Sequence, residues 1–448
     1  MPTKLAAGLN ETHDPALESW VESANAQDSP WPIQNLPFGV FARKGAKAQP
    51  TAGAAIGDEI VDLPAAAKAG VFSGRAAAAA KTFAEPTLNA FCALGPSAWS
   101  AVRLQLSKAL RTGKGATAKL RAAKRRCMVK QSDVRMLLPV AVHNYSDFFC
   151  SIHHVTNVGR ALNRPEPLVR PAWRYLPVGY HSRASSVIVS GTPVRRPLGQ
   201  YPEGNEPAQF RVCKKLDYEL EMAAIVGPGN RLGERIRIED AEKHIFGLVL
   251  MNDWSARDIQ FWEGILGPFL GKSLSTTISP WIVTMDALRP HRAALEPRPP
   301  GDPAPLPHLA PPPGSPPDGF DIALEAAILS DEMRKHRDAP TMFTRTHFRH
   351  QYWSIAQMVA HHASNGCNLV PGDVLGTGTI SGPNREQAAC LVERTLYGRE
   401  PVRLASGEMR GFVEDGDDVI FTGWARAPGY RSIGFGACRG VVTPAERT

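Results

Sequence analysis

Leu216-Asp217-Tyr218-Glu219-Leu220-Glu221 alternates an apolar residue with an acid three times in succession. Read as a strand, it places Leu216, Tyr218 and Leu220 on one face and three carboxylates on the other. Acids two positions apart on a strand lie about 7 Å from one another, and at an effective dielectric near 20 each pair repels by roughly 2 kcal/mol. Water answers that repulsion if the strand is exposed. A hard divalent cation answers it if the strand is buried, because such ions gather oxygens from scattered carboxylates. Two other acids favour the cation. Asp253 closely follows the apolar run 246–251, and Asp147 lies in the aromatic run Tyr145-Ser-Asp-Phe-Phe149, where an unpaired charge is costly to bury. Oxygen-only ligation selects calcium, magnesium or manganese over zinc.

Working outward, Asp253 is followed by Trp-Ser-Ala-Arg257-Asp-Ile-Gln260. A helix over 253–263 would align Asp253, Arg257 and Gln260 at i, i+4 and i+7, although a surface ion pair between Asp253 and Arg257 accounts for the first two equally well. Lys272 sits in Gly267-Pro-Phe-Leu-Gly-Lys272, whose spacing is not that of a phosphate loop. Short Val-, Ile- and Leu-rich runs at 186–190, 220–226, 246–251 and 418–422 read as strands, with one further helix expected over 346–364. Strands outnumber helices without a regular βαβ alternation, and no G-x-G-x-x-G joins a strand to a helix, so a dinucleotide fold is excluded. Twelve prolines within 290–317 rule out a helix or sheet interior there and mark an exposed loop inside one domain.

The first 135 residues have a different texture. A strand candidate at 36–41 and two around a Gly57-Asp58 turn precede an Ala-, Lys- and Arg-rich helical stretch from 63 to 125. The expected fold class is therefore a β-dominated α+β protein with a small domain over 1–136 and a larger one over 137–448. A length of 448 residues suits two or three domains, and 43% hydrophobic with 21% charged residues excludes global disorder. No apolar run approaches the ~20 residues of a membrane span, and the first residues lack a signal-peptide core, which predicts a cytoplasmic protein. The seven cysteines form no C-x-x-C pair, so neither a structural zinc site nor a disulfide framework is expected. The net charge of +8 raises a nucleic-acid-binding alternative, centred on Lys108, Arg111, Lys114, Lys119, Arg121, Lys124, Arg125, Arg126 and Lys130. That stretch has no aromatic to stack a base and reads as a solvated helix face and its exit.

Two adjacent histidine pairs remain. His361-His362 falls in a predicted helix and reads as packing or hydrogen bonding. His153-His154 follows Asp147 closely enough for either to serve as a general base beside a cation, given a carboxylate to orient it.

Several segments together carry a family likeness: Asp147-Phe-Phe-Cys-Ser-Ile-His-His154-Val-Thr-Asn-Val-Gly159, Leu176-Pro-Val-Gly-Tyr180-His-Ser-Arg-Ala-Ser-Ser186, Leu216 to Glu221, Met251-Asn-Asp-Trp-Ser-Ala-Arg-Asp258, Gly267 to Lys272 and Gly378-Thr-Ile-Ser-Gly382. In this order they resemble the fumarylacetoacetase family over roughly 36–440. The resemblance implies a small SH3-like N-terminal domain, a large mixed β-roll catalytic domain and a homodimer. It further implies that Asp147, Glu219, Glu221 and Asp253 hold Ca2+, with Mg2+ near Asp253 and oxygens of Lys272 and Thr276. His154, oriented by Glu393, would activate water, and Arg257, Gln260 and Lys272 would meet the developing oxyanion. Tyr180, Gln260 and Thr379 would contact a diketo-dicarboxylate substrate, cleaved to fumarate and acetoacetate in the last step of tyrosine and phenylalanine breakdown. Three positions depart from the family pattern: Phe149 and Asn163 replace a substrate-contacting Tyr and Arg, and the segment 262–266 is one residue short. These bear on recognition, so a related acylpyruvate or β-diketo-acid hydrolase is the alternative enzyme.

Overall fold

The computed structural model describes residues 8–45, 49–264 and 267–446. The first residues read for a signal peptide, 1–7, lie outside that range, as do 265–266 of the shortened segment. Near the N-terminus, an antiparallel sheet runs in the order Met128–Lys130, Glu59–Asp62, Thr51–Ile56, Phe38–Arg43, Val134–Leu137. Its turn at Gly57-Asp58 is where the sequence places it, with Gly57 at a φ of 55° that favours glycine. Helices Leu63–Lys68, Gly74–Ala80 and Pro96–Leu110 pack beside this sheet, the last burying Trp99, Val102, Leu106 and Leu110.

Two larger sheets follow. One runs in the order Gly179–Ser182, Tyr145–Phe148, Val374–Gly376, Leu220–Val226, Ile245–Asp253, Thr276–Ile278, Val187–Val189. The other runs Thr341–His347, Ile322–Leu329, Asp418–Ala425, Ile433–Thr443, Val194–Arg195. Both curl toward each other as half-barrels around a buried core that includes Leu220, Met222, Leu248, Leu250, Leu324, Ala326 and Phe421. This is the β-dominated α+β architecture expected from the sequence. A second core joins the N-terminal sheet to the large one, with Phe38, Phe91 and Trp99 packed around Phe246 at ring separations of 5.1–5.8 Å.

Three local expectations are corrected. The run 216–221 is not one strand: Leu216–Asp217 pairs with Ser255–Ala256, Glu219 bridges Cys390, and pairing resumes at Leu220 against Asn252. The chain changes partners within the motif, which turns Asp217 away from Glu219 and Glu221. Second, 253–263 is not one helix. Asp253 ends the strand Ile245–Asp253, in register with Thr276, and the buried Trp254 indole donates to Thr277 Oγ1 at 2.9 Å. The helix starts only at Arg257, so the i, i+4, i+7 alignment with Asp253 does not form. Third, 346–364 holds the end of a strand, a 3-10 turn and the helix Ile355–His362, capped by Ser354 accepting from the Gln357 N–H. A capping Ser fixes where that helix begins.

The proline-rich segment emerges between the paired strands Arg292–Ala293 and Gly319–Phe320 and returns to them. It is strapped down by the Arg298 guanidinium, which lies 4.2 Å from the Tyr352 and Trp353 ring centres. Much of the basic stretch is paired rather than free: Lys108 and Arg111 with Glu11, Lys124 with Glu59, Lys130 with Asp58 and Glu59. Among the described residues, no helix is long and apolar enough to cross a membrane.

Candidate active site and metal centre

Adjacent strands bring the acids together. Asp147 comes from Tyr145–Phe148, Glu221 from Leu220–Val226 and Asp253 from Ile245–Asp253, while Glu219 sits at the break before Leu220. Each offers a carboxylate oxygen within 4.8 Å of the others, and all four side chains are buried. The solvated-strand reading therefore fails: Glu221 and Asp253 are 0% exposed.

The protein's own cations balance only part of this charge. Lys272 Nζ donates to Asp253 Oδ2 at 2.8 Å and also to Glu219 Oε2. Arg257 pairs with Glu219 Oε1 at 2.8 Å and, through Nη2, with Asp217 Oδ2 at 2.8 Å. Burial opposes ionisation of Glu219, yet Lys272 and Arg257 hold its carboxyl far below the usual range. The other side of the cluster has less help, with Lys272 acting on it only from a distance. Burial, reinforced by the like charge of Asp253, pushes the Asp147 carboxyl well up. Burial and the charges of Asp147 and Glu219 do the same to Glu221. Asp147 Oδ1 and both oxygens of Glu221 accept no hydrogen bond among the described residues. Buried carboxylate oxygens without donors are the pattern expected of a hard-cation site, so these residues fit such an ion. Opposite Asp147, Gly376 leaves the room: a Cβ there would collide with Asp147 Oδ1 and Met251 Cε.

The remaining sequence-predicted residues surround this cluster. Tyr180, part-buried, donates to Asp147 Oδ2 at 2.9 Å or to Asp253 Oδ2 at 2.6 Å, and so touches the acids. Thr276 Oγ1 donates to Asp253 Oδ1 at 3.2 Å. Gln260 Oε1 accepts from Arg257 Nη1 at 3.1 Å. Thr379 is 1% exposed, and its hydroxyl has no partner among the described residues.

The two histidines separate cleanly. The helix Ile152–Ala161 is capped by Ser151 Oγ, which accepts the His154 backbone N–H. From its first turn, His154 turns inward and His153 outward. His154 is 3% exposed and its Nδ1 lies 2.5 Å from Glu393 Oε1. Ser381 Oγ donates to the same oxygen at 2.7 Å, and Asn157 Nδ2 to Glu393 Oε2 at 2.9 Å. Phe149 packs edge-on against the His154 ring at 4.9 Å. A glutamate so held fixes the imidazole with its proton on Nδ1, leaving Nε2 as an acceptor. His362 is a hydrogen-bonding residue, as expected, with Nε2 2.8 Å from Ser146 Oγ.

Asn157, Ser381 and Asp217 were not assigned these roles by sequence reading. Asn157 lies three residues after His154 on one helix, a spacing that could have revealed it. Asp217 is a 0% exposed carboxylate that binds Arg257 Nε at 2.9 Å and accepts the N–H groups of Leu391 and Val392 at 2.7 and 3.0 Å. It thereby ties the guanidinium to the turn that carries Glu393. Among the departures, Asn163 is exposed just beyond the helix end at a φ of 52°, a conformation that asparagine tolerates. Arg160 and Arg164 are exposed beside it. Of the 262–266 segment, Trp262 is 53% exposed, and 265–266 lie outside the described residues.

Two family models match the chain: "Fumarylacetoacetase N-terminal" over residues 34–139 and "Fumarylacetoacetate (FAA) hydrolase C-terminal" over 144–443. The chain is 50% identical over 433 residues to a fumarylacetoacetase of Oryza sativa subsp. japonica, covering 96% of this chain and 98% of that one. It is 47% identical over 426 residues to that of Homo sapiens, covering 94% and 98%. Among solved structures it is similar to a fumarylacetoacetate hydrolase from psychrophilic Exiguobacterium antarcticum, with a TM-score of 0.51, 17% identity, and coverage of 92% of this chain and 100% of that one. This last likeness bears on the fold alone.

Proposed function

The chain belongs to the fumarylacetoacetate hydrolase family, and from that premise we propose that it hydrolyses 4-fumarylacetoacetate to fumarate and acetoacetate, the closing step of tyrosine and phenylalanine breakdown. The observation that carries the reading is a buried His154–Glu393 pair beside four buried carboxylates whose free oxygens suit a dication. All the proposed machinery lies within 137–448, which we assign as the catalytic domain, with 1–136 packed behind it as support.

In this reading His154 Nε2 takes a proton from water, and Glu393 stabilises the resulting imidazolium through Nδ1–H. Hydroxide adds to the fumaryl ketone carbonyl, the bond from that carbon to the acetoacetate methylene breaks, and acetoacetate leaves as its enolate. The proton held on Nε2 is then available to that enolate, so the bond cleavage consumes one water and leaves His154 neutral. Arg257 and Lys272, with the Gln260 amide, donate toward the oxygen on which negative charge develops. Tyr180 and Thr379 contact the substrate. Asp147, Glu219, Glu221 and Asp253 would hold Ca2+, and Asp253, Thr276 and the Lys272 carbonyl would adjoin Mg2+. When bound, these ions supply Lewis-acid polarisation of the diketone. Seven free thiols suit a reducing compartment, and we place the enzyme in the cytoplasm as a homodimer.

Purified protein with Ca2+ or Mg2+ should deplete the diketone absorbance of fumarylacetoacetate. His154→Ala should lower kcat by roughly 10²–10⁴-fold while leaving cation binding intact. Turnover of a shorter acylpyruvate in preference to fumarylacetoacetate would transfer the assignment to a related hydrolase, an outcome that Phe149 and Asn163 make worth measuring. Full activity in His154→Ala would remove that residue as the base.

A further inference from the structure

The outward-facing neighbour of the base, His153, belongs to a second cluster of ligating groups that the hydrolytic machinery does not use. His153 Nε2 lies 3.0 Å from Glu296 Oε2, and His350 Nδ1 lies 2.7 Å from Glu296 Oε1. The two imidazole rings stand 5.8 Å apart and nearly perpendicular. One ligand atom from each of the three residues falls within 4.8 Å of the others. His350 is 4% exposed, whereas His153 and Glu296 are part-buried at the surface, so an ion could enter from solvent. The residues come from three separate segments: the helix Ile152–Ala161, the 3-10 turn Phe348–His350 and the start of the proline-rich strap. The Glu296 N–H donates to the Arg349 carbonyl at 2.8 Å, which fixes its backbone beside His350.

We propose that His153, His350 and Glu296 form a binding site for a borderline transition-metal dication, for which Zn2+ is the probe, that fastens the proline-rich strap to the helix carrying His154. Two imidazole nitrogens and one carboxylate oxygen, with a coordination position left for water, match the donor preference of such an ion. The four-carboxylate cluster, built from oxygen alone, selects harder ions, so the two sites divide metals by ligand chemistry. The proposal is independent of the hydrolytic reading, since it uses none of the residues assigned to it.

The surroundings of His350 add a second requirement. Gln387 Oε1 accepts the Asn384 N–H at 3.1 Å, which points its amide nitrogen at His350 Nε2, 3.2 Å away. In the metal-free protein the His350 proton is therefore on Nδ1, toward Glu296. Metal binding at Nδ1 moves that proton to Nε2, and the Gln387 amide turns over to accept it. A carboxylate at 387 would accept the Nε2 proton without that rearrangement, as metal-bound histidines prefer.

The full chain, stripped with chelator and then saturated with Ca2+ and Mg2+, is titrated with Zn2+ by calorimetry, and with Co2+ followed by visible absorption. The expected result is one Zn2+ equivalent, a rise in Tm, and an intense Co2+ band of low coordination number. His153→Gln, a part-exposed change that keeps a hydrogen-bonding side chain, and His350→Gln should each lose the equivalent and the band. Gln387→Glu should bind about tenfold more tightly. The proposal is overturned if no Zn2+ equivalent is found, or if it survives in folded His153→Gln protein. It is also overturned if the equivalent disappears in Glu221→Gln instead, which would place the ion in the carboxylate cluster.

Discussion

Replacing Glu221 by Gln swaps a buried carboxylate for an amide of the same shape at the point where the cluster has fewest donors. Like charges 4.8 Å apart repel by about 3.5 kcal/mol at an effective dielectric near 20. Without a cation this repulsion favours proton uptake by the cluster: burial and the charges of Asp147 and Glu219 raise the Glu221 carboxyl. A carboxyl raised on folding contributes stability that is complete below its unfolded value, near 4.5, and is lost as pH rises through the folded one. The chelated native protein should thus fall behind chelated Glu221→Gln as pH is raised from about 4.5 toward 9. A cation works in the opposite sense and favours the native protein. An ion at 1,000 times its Kd adds about 4.1 kcal/mol. Losing a charged ligand at ~3 kcal/mol weakens binding by roughly two orders of magnitude, leaving about 1.2 kcal/mol at the same concentration. Calorimetric unfolding of both proteins in chelator and in Ca2+, at pH 5, 7 and 9, reads both effects. An equal Ca2+-induced rise in Tm for the two proteins, or a chelated variant less stable than native at pH 9, would refute the reasoning.

Two further perturbations probe parts of the site that bind neither ion nor substrate. Asp217→Asn takes from the Arg257 guanidinium one of its two buried carboxylates, leaving Glu219, and weakens the anchor of the Leu391–Arg394 turn; a loss of about 3 kcal/mol in urea unfolding is expected, with lower kcat and unchanged Ca2+ affinity. Gly376→Ala should weaken Ca2+ binding without altering a ligand, because the added methyl displaces Asp147; calorimetry on the folded variant checks this, and native affinity would contradict it.

The alternation from Leu216 to Glu221 drew attention to Glu219 and Glu221, because side-chain chemistry repeats along a strand, but it fitted an exposed strand as well, and only Asp147 and Asp253 beside it favoured a buried cluster. It misplaced Asp217, since the change of strand partner at Glu219 is enforced by Ser255, Ala256 and Cys390, which lie far off in the sequence. The same limit explains Asp253. Its neighbours read as a helix, but the ladder to Thr276 holds it in a strand, an instance of tertiary pairing overriding local pattern. The partner of His154 was legible only through family likeness, because Glu393 is distant in sequence and meets the helix only when the fold is complete. Three strands of the N-terminal sheet, Phe38–Arg43, Thr51–Ile56 and Glu59–Asp62, were by contrast legible directly, since they pair in succession around a Gly-Asp turn, whereas Met128–Lys130 and Val134–Leu137 were not, because they join its two edges from far along the chain.

The order of the large sheet gives the carboxylate cluster a mechanical meaning. Counted across the sheet, the strands bearing Asp147, Gly376, Glu221, Asp253 and Thr276 stand side by side. An ion held there lies as a tie across the strands, at right angles to the direction in which each would fray. Opening any one of these strands then means giving up a ligand, so ion occupancy converts several independent local openings into one shared event. Amide hydrogens along neighbouring strands should accordingly slow their exchange together when the ion binds, including those of Val374–Gly376, which contributes no ligand at all.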